Sequence, residues 1–121
     1  MGKQVLLIDD SPSIRALMSM ALERSGFDVM SAEDGQAAFD LLDGRHLDAI
    51  VCDLNMPRMD GVSFLRVLRN DPRYRRVPVL VLTTESRPEI KAAVRTGGAQ
   101  AYLNKPCQPG VFIDAVNRLC S

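Results

Sequence analysis

Three runs most constrain this chain: Val5-Leu6-Leu7-Ile8, Ala49-Ile50-Val51-Cys52 and Val79-Leu80-Val81-Leu82, all apolar without interruption. Each is too short for a helix. Continuous apolarity, rather than alternation, means burial on both sides, as in central strands of a parallel sheet covered by helices on both faces. Phe27-Asp28-Val29-Met30-Ser31 alternates in polarity, which suits a strand nearer an edge, and Ala101-Tyr102-Leu103 is short enough for the opposite edge. Longer segments of helical period separate these strands, so the pattern predicts an α/β fold of five β-α units.

The helices are punctuated in sequence. Ser11-Pro12 offers an N-cap and a first-turn proline, and Ile14, Leu17, Met18, Ala21 and Leu22 predict one buried face ending at Gly26. Ala38, Leu41 and Leu42 mark a second helix and Phe64, Leu65 and Leu68 a third, with Asp34 and Asp60 as caps. Ile90, Ala93 and Val94 mark a fourth, for which Ser86-x-x-Glu89 predicts a capping box, and Phe112, Ala115, Val116 and Leu119 a fifth. Met18, Met20 and Met30 read as core fillers, whereas Val111 and Ile113 lie off the last helix's core stripe. No linker, repeat or low-complexity tract interrupts the pattern, so residues 1–121 read as one domain with no output domain attached.

Fifteen basic residues balance fifteen acidic ones, so no net field draws the chain to nucleic acid or an anionic membrane. The cluster Arg66, Arg69, Arg73, Arg75 and Arg76 has acids nearby and reads as a solvated face. No apolar run approaches the roughly 20 residues that span a bilayer, and the expectation is a cytoplasmic protein. Cys52, Cys107 and Cys120 are odd in number and lack metal spacing, which predicts reduced thiols, and His46 reads as a lone surface residue.

Polar residues follow the strands directly. Ile8 precedes Asp9-Asp10, Cys52 precedes Asp53, Leu82 precedes Thr83-Thr84, and Leu103 precedes Asn104-Lys105. In open parallel sheets the carboxyl edge carries the site, so these residues should converge. Three acids brought together repel unless a cation sits among them, and oxygen donors without His or Cys favour a hard ion, Mg²⁺ first and Mn²⁺ as substitute. Asp9 and Asp10 are the expected metal-holding acids, with Asp53 and a backbone carbonyl near Asn55 as further ligands. Lys105 adds a positive point charge, and Thr83 a hydroxyl donor. Together these describe a phosphoryl site, with Asp53 as the nucleophilic carboxylate.

On these residues the chain resembles the receiver domain of two-component response regulators. The motifs are DD after the first strand, D-L-N-M-P-R-M-D-G after the third, T-T after the fourth and K-P after the fifth. The resemblance implies a flavodoxin-like sheet of order 2-1-3-4-5, Asp53 as phosphoacceptor, Thr83 as switch hydroxyl, Tyr102 as switch aromatic, and a cis Lys105-Pro106 bond. It implies that Asn55 and Glu85 flank the path of attacking water. It also implies a phosphoryl donor, a histidine kinase or phosphotransfer protein, and a downstream target read through helix 4, strand 5 and helix 5. The motifs are most similar to those of stand-alone chemotaxis regulators, whose target is a flagellar motor switch protein. Asn104 and the segment Cys107-Gln108-Pro109-Gly110 depart from the usual pattern. A receiver cut from a hybrid kinase is the alternative within the family.

Two other classes fit less well. A haloacid-dehalogenase-type phosphatase needs a second aspartate two residues after the first, where Asn55 stands. A flavodoxin needs a Ser/Thr/Gly-rich phosphate loop where Asp9-Asp10 stands. The expectation is therefore a phosphoacceptor that catalyses its own modification rather than a turnover enzyme.

Overall fold

Val5 and Leu7 bury against one face of the sheet, while Leu6 and Ile8 bury against the other. The same division holds for Ala49 and Val51 against Ile50 and Cys52, and for Leu80 and Leu82 against Val79 and Val81. Because successive side chains of a strand alternate in direction, a strand covered on both faces must be apolar at every position. That is the physical origin of the three uninterrupted runs.

The computed structural model describes residues 2–121, Met1 lying outside them. Strands β1 (Gln4–Ile8), β2 (Asp28–Ala32), β3 (Ala49–Cys52), β4 (Val79–Thr83) and β5 (Ala101–Asn104) alternate with helices α1 (Pro12–Arg24), α2 (Gly35–Leu41), α3 (Gly61–Arg69), α4 (Pro88–Thr96) and α5 (Pro109–Cys120). All strand pairs are parallel, in the order β2-β1-β3-β4-β5. This is the expected flavodoxin-like arrangement. Leu22 of α1 and Phe112 and Val116 of α5 cover one face; Ala38 of α2, Phe64, Leu65 and Leu68 of α3 and Val94 of α4 cover the other.

Caps behave as the sequence predicts at three helices. Ser11 Oγ accepts from Ile14 N, Asp34 from Ala37 N at 2.8 Å and Asp60 from Ser63 N at 2.7 Å. The capping box predicted at Ser86 and Glu89 does not form. Pro88 occupies the first turn of α4, which makes Arg87 the cap residue, with no side-chain hydrogen bond, and leaves Ser86 one position too early.

The buried face of α1 is narrower than its apolar residues suggest. Leu17 is 64% and Met20 49% exposed, against 0% for Leu22. Both stand more than about 130° round the helix from Leu22, which with Met18 marks the line of contact with the sheet. Met18 and Met30 pack partly against the cores, as expected, and Met20 does not. On α5, Val111 is exposed and Ile113 half-buried.

The sheet ladder runs one residue past its strands at the carboxyl edge. Asp9 N donates to Ala32 O at 3.1 Å, Asp53 N to Ile8 O at 3.0 Å and Lys105 N to Thr83 O at 2.8 Å. The first residues beyond β1, β3 and β5 are thereby fixed in register with the sheet. From β1 the chain proceeds outward to β2, and from β3 the other way to β4, so Asp9 and Asp53 flank the point where strand order reverses.

Candidate functional site

Asp9 and Asp53 directly follow the apolar runs that end β1 and β3, and both are buried, at 1% and 6% exposure. A buried carboxylate is tolerated only when its oxygens are hydrogen-bonded and its charge offset. Each oxygen has a partner. Asp53 Oδ1 accepts from Leu54 N at 2.7 Å and Asn55 N at 3.3 Å, and Oδ2 from Lys105 Nζ at 2.8 Å. Asp9 Oδ1 accepts from Ser11 N at 2.9 Å, and Oδ2 from the same Lys105 Nζ at 2.6 Å. Arg15 adds a bond to the Asp9 carbonyl at 2.7 Å.

Lys105 is thus the shared counter-ion of two acids from adjacent strands. Burial pulls its ammonium towards the neutral form, but the bonds to Asp53 and Asp9 outweigh this and its pKa lies above the ordinary lysine value. Asp10 is exposed beside them. Asp9, Asp10 and Asp53 each offer a carboxylate oxygen, all within 4.8 Å of one another.

The donor set fits a hard divalent cation. Three carboxylates against one ammonium leave two formal negative charges, the charge of one such ion, and no sulfur or imidazole donor stands in the cluster.

Thr83 is fully buried at the end of β4, and its Oγ1 accepts from Glu85 N at 3.2 Å. Tyr102 lies apart from the acids, on β5. Its hydroxyl donates to the Glu85 carbonyl, which also accepts from Asn104 Nδ2 at 2.9 Å. The Lys91 ammonium sits over the Tyr102 ring, 5.1 Å from its centroid. Burial, with the charges of Glu85 and Asp53, pushes the Tyr102 phenol pKa up. The Glu85 carboxylate is turned to Arg87, whose guanidinium lowers its pKa. Asn55 is exposed and joined to the site by its backbone N–H. Lys105-Pro106 is cis, as the resemblance implies.

Two features of this region were not read from sequence. Arg58 holds Asp34 through a forked ion pair, and Gly61 lies so close under β3 that a Cβ there would stand 2.4 Å from the Asp53 carbonyl. Gly61 carried a signal in the D-G pair that opens α3. Arg58 carried none. Two surface clefts, each of about 520 Å³, are lined by other residues, one including Arg45, Tyr74 and Cys120 and the other between α1 and α5. Neither touches the acidic cluster.

The sequence matches the family described as the response regulator receiver domain over residues 5–117. The chain belongs to that family. Receiver domains take phosphoryl groups from histidine kinases, bind Mg²⁺ in an acidic pocket and act on downstream targets as phosphoacceptor switches rather than turnover enzymes. In this chain Asp9, Asp10 and Asp53 form a cluster of acids able to hold a metal ion. The receiver is 38% identical over 96% of its length to the gliding motility regulatory protein of Myxococcus xanthus, and spans only 15% of that protein. It is 33% identical to the chemotaxis protein CheY1 of Helicobacter pylori, with 90% of each covered. Among solved structures it resembles the chemotaxis response regulator CheY4 of Vibrio cholerae, with a TM-score of 0.92, 36% identity, and 98% and 99% of the two chains covered. No helix among the described residues is long and apolar enough to cross a membrane.

Proposed function

We propose that Asp53 accepts a phosphoryl group from the phosphohistidine of a histidine kinase or phosphotransfer protein, and that the modification is read at α4, β5 and α5. The observation that carries this reading is the Lys105 ammonium bridging Asp9 and Asp53 beside Asp10. A divalent ion, Mg²⁺ or Mn²⁺, held by Asp9, Asp10, Asp53 and the Asn55 carbonyl, supplies charge neutralisation for the phosphoryl oxygens. All else is done by the chain. An Asp53 oxygen attacks phosphorus in line as the histidine N–P bond breaks, and the departing imidazole takes up a proton. The product is an acyl phosphate. Lys105 then exchanges a carboxylate contact for a phosphoryl oxygen, and Asp9 keeps its bond from Ser11 N.

Thr83 carries the signal outward. Its hydroxyl accepts from Glu85 N, and the Glu85 carbonyl accepts from Tyr102 and Asn104. When Thr83 turns to donate to the phosphoryl group, it releases the Glu85 backbone and with it the anchor of Tyr102. Moving such a switch from mostly off to mostly on takes about 5 kcal/mol of differential binding, part of which a partner can supply.

The pathway we propose is chemotaxis, with a flagellar motor switch protein as target, in the cytoplasm and without nucleic acid or membrane contact. Support comes from near-complete mutual coverage with CheY1 and CheY4. One observation favours a second reading, a receiver within a larger regulator or hybrid kinase: the Myxococcus match places a similar segment in a far longer chain. Phosphotransfer from a panel of labelled kinases and phosphotransfer proteins, with and without a chelator, tests the donor. Phosphorylation-dependent binding to a flagellar switch protein tests the pathway, and transfer without that binding favours the second reading.

A further inference from the structure

We propose that Arg58 is a positioning residue for divalent-cation binding: its ion pair with Asp34 clasps the loop between β3 and α3 in the conformation that brings the Asn55 carbonyl to the acidic pocket. The inference rests on the reading of Asn55 as a ligand given above.

Arg58 is the one non-glycine residue among those described with a positive φ, 57°. An arginine occupies the left-handed region only where surrounding contacts hold it there. The contacts are explicit. Nε lies 2.7 Å from Asp34 Oδ2 and Nη2 3.1 Å from Oδ1, a two-point fork, with Glu33 3.7 Å away. The anchor itself does not move freely, because the Asp34 side chain is 2% exposed and also caps α2 through Ala37 N.

A second link lies next to the first. Gly35 N donates to Met59 O at 3.1 Å, and a Cβ at Gly35 would stand 2.7 Å from that oxygen. Residues 54–60 are therefore fixed at one end by β3, at the other by the bond from Gly61 N to Leu54 O, and in the middle by these links to Asp34 and Gly35, with Met56 and Met59 packed against the core. Asn55 is exposed, and its N–H reaches Asp53 Oδ1 at 3.3 Å, so its carbonyl is placed by these anchors. The acids whose charges act on Arg58 are Asp34, Glu33 and Asp40, and none belongs to the pocket. The clasp works through geometry rather than by altering the pocket's charge.

The test is the affinity of the full chain for Mg²⁺ alone, by calorimetry and by amide shifts around Asp53. Arg58→Asn removes the guanidinium while keeping a residue that accepts left-handed backbone. It should weaken Mg²⁺ binding by about threefold to tenfold, short of the losses that follow removal of a direct outer-shell partner. Arg58→Lys should recover part of the loss. Arg73→Asn, which breaks a comparable exposed pair with Asp71, should change nothing. Wild-type affinity in Arg58→Asn, or an equal loss in Arg73→Asn, overturns the clasp and leaves the pocket reading standing. A wild-type chain that binds no Mg²⁺ overturns that reading and the clasp with it.

Discussion

Lys105 Nζ and Asp53 Oδ2 are joined at 2.8 Å across fifty-two residues of sequence. The same ammonium lies 2.6 Å from Asp9 Oδ2, so one lysine from beyond β5 closes a site whose acids come from β1 and β3. The pocket therefore has an internal cation at the place where the proposed function puts the phosphoryl charge.

Replacing that cation exposes the repulsion it offsets. Lys105→Met should lower folding stability by about 2 kcal/mol in metal-free buffer, the scale of a lost charge-assisted pair at a partly buried site. Saturating Mg²⁺ should recover most of the loss, since a divalent ion restores positive charge among Asp9, Asp10 and Asp53. Urea denaturation of both proteins with and without Mg²⁺ measures it, and a deficit indifferent to Mg²⁺ would contradict the shared counter-ion.

Gly61 sets how closely α3 approaches the end of β3. In Gly61→Ala the new methyl would meet the Asp53 carbonyl at 2.4 Å and Leu54 Cα at 2.8 Å, both backbone atoms that yield little. The expected cost is about 1–3 kcal/mol of stability, with slower modification of Asp53 by small phosphodonors. Thermal melts and labelling rates read the two effects separately.

The sheet was legible because burial on both faces demands apolarity at every position, and Val5-Leu6-Leu7-Ile8 is too short for a buried helix. The acidic site was legible because strand ends converge by topology, so Asp9, Asp53 and Lys105 could be gathered from distant positions before any distance was known. Leu17 was misplaced because helical spacing marks a stripe without its width, and the sheet takes only the line through Met18 and Leu22. Ser86 failed as a cap because Pro88 fixes where α4 begins. Arg58 was invisible, since its left-handed backbone and its hold on Asp34 arise from contact between two loops and leave no trace in residue type.

The Asp34–Arg58 pair gives stability a definite pH dependence. Hydrogen bonding from the Arg58 guanidinium, with the cap bond to Ala37, lowers the folded-state pKa of Asp34 below its ordinary value of 3.8. A group depressed on folding contributes stability that is fully present above the unfolded pKa and is lost as pH falls through the folded one. The melting temperature of Arg58→Asn should lie below wild type at pH 7, and the gap should close as pH drops below about 3.8. Melts from pH 7 to pH 2.5 check this, and a gap independent of pH would show that the pair is not its source.

Lys91 stands over the ring of Tyr102, the residue proposed to report the switch. An exposed cation–π contact contributes about 0.5–1 kcal/mol. Lys91→Ala should therefore shift the balance between the observed and alternative positions of Tyr102 by about twofold to fivefold, and Lys91→Arg should restore it. Side-chain NMR of Tyr102 in the unphosphorylated protein reads this directly. Asp53 modification rates should stay at the wild-type level.

Whether Asp53 carries the phosphoryl group is decided by mass spectrometry after incubation with acetyl phosphate and Mg²⁺. Wild type should gain the mass of one phosphoryl group, lost under mild base as an acyl phosphate is, and Asp53→Asn should stay folded and unmodified. Equal modification of the Asp53→Asn protein, or a stable adduct mapped to another residue, would contradict it.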